Sequence, residues 1–234
     1  ASSLTESNCR PSPYHGDALP TELREPDHLT MAGHKDATRS GLSHRRQPSP
    51  QASRVLVRPV PARPQGTVGP MEIRLAGSGD TEAIRAIYNH EVTTSTATFD
   101  LVERSLEDQK AWLAARAGAF SVLVAEIDDE VAGFASLSPF RERAAYRSTV
   151  ENSVYVAAEH RGRGVADRLL GNLLEVARTS GFHSVIARIG GNNEASTALH
   201  AKHGFREVGV ELQVGRKFGR WQDVTVMQVV FDEA

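Results

Sequence analysis

Apolar positions follow no sustained period through residue 70 and become patterned from Met71 onward. A short apolar run, Met71–Leu75, predicts a strand. Ala83, Ile84, Ile87 and Tyr88 share one helical face, which predicts a helix over Asp80–Glu91 with Asp80 as its N-cap. Ser105 opens a second helix, Ser105–Ala117, with Glu107 and Asp108 in its first turn. SVLVAEID and EVAGFASLS flank Asp128-Asp129 and predict a hairpin. TVENSVYVA is another strand. Arg163–Ser180 carries apolar residues at Val165, Ala166, Leu169, Leu170, Leu173, Leu174, Val176 and Ala177, and Gly181 stops that helix as its C′ residue. SVIARI predicts a strand, Asn193–His203 a short helix, and EVGVELQV and DVTVMQVVF two closing strands. The order β α α β β β α β α β β implies an α/β (α+β) domain: a mixed, mostly antiparallel sheet with helices on both faces.

Composition divides the chain at the same point. Ten of the eleven prolines lie in residues 1–70, and thirteen of the fourteen Phe, Trp and Tyr residues lie after them. A segment this poor in aromatics cannot bury enough apolar surface to offset its chain entropy, so 1–70 is expected to be a disordered Pro/Ser/Arg-rich tail and 71–234 one folded domain. The tail holds six arginines and no acid between Ala37 and Met71. A solvated linker is preferred there over a nucleic-acid contact. The domain carries eighteen Lys+Arg against twenty-three Asp+Glu. No long apolar run marks a secretory signal or a membrane span, so a cytoplasmic protein without membrane partners is expected. Cys9 is the only cysteine and sits in the tail. No cysteine metal site is possible, and His200 and His203, three apart, lack further ligands at metal-binding spacing.

The stretch EHRGRGVADRLL, residues 159–170, joins a strand to the longest helix. It lacks the lysine of a P-loop. Asp167 stands where a dinucleotide fingerprint needs its third glycine, and SVIARIGG lacks the acid that would hold a ribose. What remains is Arg161-Gly162-Arg163-Gly164-Val165-Ala166 at a helix start. Glycines admit close approach, free N–H groups and the helix dipole favour an anion, and the arginines supply charge-assisted bonds. A pyrophosphate suits that set. Asp167 is a negative charge beside it, and is expected to point away with Arg163 and Arg168 compensating.

This run resembles the [QR]-x-x-G-x-[GA] acetyl-CoA signature of the GNAT acetyltransferases. TVENSVYV, GFHSVIARIGGNNEAS, ALHAKHGF and GRKFGRWQDV are similar to the corresponding runs of the phosphinothricin and methionine sulfoximine N-acetyltransferase group, over about residues 72–231. The resemblance implies the GNAT fold, acetyl-CoA as donor, no metal, an amino-acid-like amine as acceptor, a homodimer, and an activity that confers herbicide resistance. It implies that the main chain of Val154, Tyr155 and Val156 pairs with the pantetheine arm, and that Asn193 and Ser196 add hydrogen bonds to CoA. Asn193 is also a plain N-cap.

An α-amine must lose its proton before it attacks. Glu151 sits in an apolar strand, where a carboxylate is costly unless functional or paired, and burial raises its pKa toward a useful base. An ion pair with Arg147 is the plain alternative; the resemblance favours the base. His200 stands four residues before Gly204-Phe205, where many relatives place the acid that protonates the thiolate, and either that role or packing against CoA is open. Two basic-aromatic loops, Arg141, Arg143, Tyr146 and Arg147 before Glu151, and Lys217, Arg220 and Trp221 near the C-terminus, suggest a pocket for a small zwitterion. Solvated loops or a dimer contact are the plain reading. The expected activity is therefore direct acetyl transfer to phosphinothricin, methionine sulfoximine or a related amino acid. A protein N-terminal or polyamine acetyltransferase, or a non-catalytic acetyl-CoA-binding module, are the alternatives.

Overall fold

The structure, a computed structural model, describes residues 70–231. The expected tail lies outside the described residues except for Pro70, as does Cys9. Seven strands form one sheet in the order β1-β2-β3-β4-β5-β7-β6. They are β1 (Glu72–Leu75), β2 (Leu123–Ile127), β3 (Glu130–Pro139), β4 (Thr149–Val156), β5 (Ser184–Gly190), β6 (Arg206–Lys217) and β7 (Arg220–Val230). Only β4 and β5 run parallel; every other pairing is antiparallel. The helices are α1 (Thr81–Thr94), α2 (Leu106–Ala114), α3 (Val165–Thr179) and α4 (Glu194–Lys202). This is the expected element order and a mixed sheet. None of the described helices is long and apolar enough to cross a membrane.

Strand alternation assigns the two faces. Val122, Val124, Phe134 and Tyr155 pack with Ile84, Ile87, Tyr88 and Val92 of α1. Leu123, Ala125, Ala135, Leu137, Val154 and Val156 turn the other way, onto Leu169, Leu170 and Leu173 of α3 and Leu199 and Phe205 around α4. Side chains of period two and of period 3.6 thus meet on both sides of one sheet.

Local signals explain most boundaries. Asp128 and Asp129 both have positive φ, 52° and 63°, so the two-residue turn between β2 and β3 has the hand that suits a hairpin. Ser105 caps α2 by accepting from the Asp108 N–H, and Asp108 accepts the Ser105 N–H in return. That helix ends at Ala114, three residues earlier than expected. Gly181, at φ 80°, closes α3: its N–H donates to the Arg178 carbonyl and that of Phe182 to the Ala177 carbonyl, the paired bonds of a Schellman end. Asp80 corrects the sequence reading. It stands before α1 but makes no side-chain cap. Its carboxylate accepts instead from the Gly77 N–H and from Arg74, which also reaches Glu126. A neighbouring-strand guanidinium outcompeted the local backbone for the same oxygens.

The parallel β4–β5 pairing covers only Thr149–Glu151 against Ser184–Ile186. Beyond it β4 stays with β3 as far as Val156, and β5 stays with β7 as far as Gly190. The two strands therefore part like a fork, and a cleft opens between their arms.

Candidate active site

The fork holds a cleft of about 760 Å³. One wall is Glu151–Val156 of β4, the other Ala187–Gly190 of β5. The turn from Arg161 to Asp167 and the start of α3 close one end, α4 with Asn193, Ser196 and His200 closes a side, and the loop Ser95–Phe99 after α1 covers the rest.

Gly162 and Gly164 have φ of 73° and 79°, and a Cβ at either would meet nothing within 4 Å. The constraint there is backbone handedness, not crowding. Gly164 is the N-cap of α3, so the first N–H groups of that helix face the turn without partners of its own making. The arginines behave otherwise than expected. Arg161 is ion-paired with Glu91 of α1, whose side chain is buried and also accepts from Ser95 Oγ. Arg163 donates to His160 Nδ1 at 2.9 Å. Asp167 is neutralised, but not by Arg163 or Arg168: Lys202 lies 2.8 Å and His203 2.9 Å away, and they hold its carboxyl below the usual range. These bonds tie α3 to α4.

Glu151 is the last residue of the paired stretch, at the vertex of the fork. Burial pushes its carboxyl above the usual carboxylate range; Arg188 opposes that shift and Glu211 adds to it. Among the described residues it has no hydrogen bond and no ion pair, and Arg147 is not its partner. His200 is buried, at 4% exposure. Its Nδ1 lies 2.7 Å from the Ser196 carbonyl, which can only accept, so Nδ1 carries the proton and Nε2 accepts from Asn152 Nδ2 at 3.0 Å. Burial lowers its pKa and keeps the ring neutral. Both ring nitrogens are thus engaged within the protein. Asn193 does cap α4, accepting from the Ser196 N–H at 3.0 Å.

The two basic loops separate. Lys217 is buried, and its ammonium donates to the main-chain carbonyls of Thr98 at 2.7 Å and Glu91 at 3.3 Å. It is a tether for the loop Ser95–Phe99, not a reader of an acceptor. That loop lies on a bed of glycines: a Cβ on Gly190 or Gly191 would strike Thr96, and one on Gly215 would strike the Phe99 ring. Arg220 and Trp221 line a smaller depression with Thr96, Gly191 and Phe218, and Thr96 belongs to both hollows. None of Arg141, Arg143, Tyr146 and Arg147 lines the cleft; Arg141 stacks over Phe140 and Tyr146 instead. Sequence reasoning missed Glu91, Thr96, Phe99 and Arg188. A lone charge inside SVIARI was the available signal for Arg188; the loop residues offered none.

A family profile described as the Acetyltransferase (GNAT) family matches residues 84–205. The chain belongs to the GNAT acetyltransferase family. It is 42% identical over 164 residues to the L-amino acid N-acyltransferase MnaT of Escherichia coli K12, spanning 70% of this chain and 95% of that protein. It is 43% identical over 162 residues to an L-methionine sulfoximine/L-methionine sulfone acetyltransferase of Pseudomonas paraeruginosa, spanning 68% and 94%. The crystal structure of a GNAT superfamily phosphinothricin acetyltransferase from Sinorhizobium meliloti in complex with AcCoA matches with a TM-score of 0.67 and 34% identity, over 68% of this chain and 88% of that one. The sheet and helices described above are the GNAT fold, and the chain is a GNAT N-acetyltransferase.

The desolvation of Glu151 has a thermodynamic consequence. Its folded pKa is raised, so folding binds that proton more tightly than the unfolded chain does. The group favours the folded state at low pH, and that contribution is lost as pH rises through the folded pKa. Glu151→Gln cannot ionise. The variant is expected to melt above the parent at about pH 8, with the gap closing toward the ordinary glutamate pKa of about 4.3. Calorimetry at both pH values checks this; equal melting temperatures throughout would mean that the carboxylate is well solvated.

Proposed function

We propose that the chain transfers the acetyl group of acetyl-CoA to the α-amine of a small amino-acid-like acceptor such as phosphinothricin or methionine sulfoximine, with Glu151 as general base. The observation that carries the reading is the unpartnered, desolvated Glu151 at the fork vertex, in the same cleft as the turn Arg161–Ala166.

The residues present fit acetyl-CoA. The α3 N-terminus and the glycine turn offer N–H groups for a pyrophosphate. Beyond Glu151, β4 has no strand on its β5 side, so the main chain of Val154, Tyr155 and Val156 is open to an amide-bearing arm. Asn152 Oδ1 is buried there without a hydrogen-bond partner, an acceptor left for an incoming N–H. Acetyl-CoA supplies the activated acyl group. The chain's part is to take the proton from the acceptor's nitrogen at Glu151, so that the freed lone pair attacks the thioester carbon. A C–N bond forms, the C–S bond breaks, and the sulfur leaves as thiolate, which takes up the proton that the new amide nitrogen sheds. The raised pKa of Glu151 brings the base toward the amine it must deprotonate.

The acceptor's distal group would lie past Thr96, where Arg220 and Trp221 line the adjoining depression. A homodimer is also part of this reading. β6 is an edge strand with Val208, Leu212 and Val214 at 61%, 72% and 50% exposure, an apolar edge that a second copy would cover. Light scattering on the purified chain is expected to give twice the monomer mass; a monomer at micromolar concentration rejects the dimer.

A panel of amino acids and analogues with acetyl-CoA, followed by free-thiol release, tests the activity itself. Glu151→Gln is expected to lower the rate about 10²–10⁴-fold while acetyl-CoA affinity is kept. Near-normal turnover would assign the base elsewhere. Arg220→Ala is expected to reduce kcat/KM for phosphinothricin, which carries a distal anion, about tenfold more than for methionine sulfoximine, whose distal group is neutral. Equal losses for both acceptors would remove Arg220 from the distal subsite.

A further inference from the structure

We propose that Arg188 receives the α-carboxylate of the acceptor and so makes the cleft select amino acids over simple amines. The inference rests on the reading of Glu151 as the base that meets the acceptor's amine.

Placement comes first. Ile186 pairs with Glu151 across the parallel contact, and Arg188 is two residues further along β5. Residues two apart on a strand share a face, so Arg188 and Glu151 project from the same side of the sheet, on the two arms of the fork. Both line the cleft. Their charges are near enough that Arg188 draws the Glu151 pKa downward against the effect of burial. In an α-amino acid the nitrogen and the carboxylate hang from one carbon. A group that binds the carboxylate must therefore stand beside the group that takes the amine's proton.

Two arginines line the cleft and each carries an ion pair, so position decides between them. The cleft is lined by Glu91, Glu151, Asp167, Arg161 and Arg188, with two histidines. Arg161 is committed to Glu91 at the mouth of the glycine turn, and Asp167 to Lys202 and His203. His200 is held neutral, and His160 accepts from Arg163. Arg188 is the cation on the arm facing Glu151.

Its geometry suits a carboxylate. Both terminal nitrogens donate to Glu211, at 3.0 and 2.5 Å, which fixes the plane of the guanidinium. Its Nε edge donates to no group among the described residues. The side chain is 35% exposed. Glu211 thus holds Arg188 as a preset fork with one edge left over, and a guanidinium edge is a good match for a carboxylate. Without Arg188, the incoming carboxylate would meet Glu151 with no opposing charge, and like charges disfavour both binding and ionisation of the base.

The test uses the full chain, acetyl-CoA, and two forms of one acceptor: the amino acid most active in the panel and its primary amide, which keeps the amine and lacks the charge. The parent is expected to prefer the acid by at least about tenfold in kcat/KM. Arg188→Met is expected to lower kcat/KM for the acid about ten- to hundredfold, chiefly through acceptor KM, and for the amide by less than about threefold. Arg188→Lys, which keeps the charge without the fork, is expected to fall between. Thermal melting of each variant checks folding. Equal losses for acid and amide, or no loss for either, would overturn the assignment. A parent that acetylates no amine in the panel would sink the proposed function instead, which keeps the two failures apart.

Discussion

Three residue pairs of parallel strand decide the site. Thr149–Glu151 and Ser184–Ile186 are joined, and the strands then separate because each is held more extensively by its antiparallel neighbour. β4 is bound to β3 along seven positions and β5 to β7 along seven, so neither can follow the other. The separation leaves half-buried strand main chain with no strand partner on that side, so its hydrogen-bonding groups are open to the cleft. It also places a glutamate at the one point where the sheet changes from closed to open. Glu151 is desolvated by the strands below it and faces a hollow above it.

The loop Ser95–Phe99 lines one side of the cleft, and a buried carboxylate organises that loop. Glu91 accepts from Arg161 on one side and from Ser95 on the other, while its main-chain carbonyl receives Lys217. A buried carboxylate with fewer partners would be costly. The arrangement has an electrostatic consequence for the neighbouring turn. The charge of Arg161 is largely spent on Glu91, so on the proposed reading attraction for a pyrophosphate would fall mainly to oriented N–H groups at the α3 N-terminus. Such groups need no side-chain ordering, whereas a free arginine would lose rotamer freedom on binding.

Periodicity made the scaffold legible, and tertiary competition hid the site. The order of strands and helices, the Asp128-Asp129 hairpin and the Gly181 stop could be read because each depends on a few residues in sequence. Asp80 could not: its cap position was visible, but its oxygens are taken by Arg74, which Glu126 of β2 holds from the other side. Lys217, Arg220 and Trp221 are neighbours in sequence, yet Lys217 turns inward to two carbonyls while Arg220 and Trp221 stay at the surface. Arg141, Tyr146 and Arg147 precede Glu151 in the chain but lie off the cleft, in and around a short helical turn, Ala144–Tyr146, where Arg141 stacks on Phe140 and Tyr146. Gly162 and Gly164 have the positive φ that glycine favours, a constraint set by their own backbone, whereas the partners of Asp80, Asp167 and Lys217 are set by whatever comes within reach.

The charges of the cleft then share one property with a single exception. Glu91 has Arg161, Asp167 has Lys202 and His203, and Arg188 has Glu211. Each pair neutralises itself within the protein, which limits the cost of lining a half-buried hollow with ions. Glu151 alone is left with its charge uncompensated by any bonded partner. A carboxylate in that condition lowers stability whenever it is ionised; Arg188 relieves it in part, and a directly bonded lysine or arginine would have relieved it further. Such a partner would also have returned its pKa to the ordinary range and filled the vertex of the fork. The uncompensated charge and the vacant space are thus one physical fact, and under the proposed function a carboxylate that is expensive to ionise would gain by taking a proton from the acceptor amine.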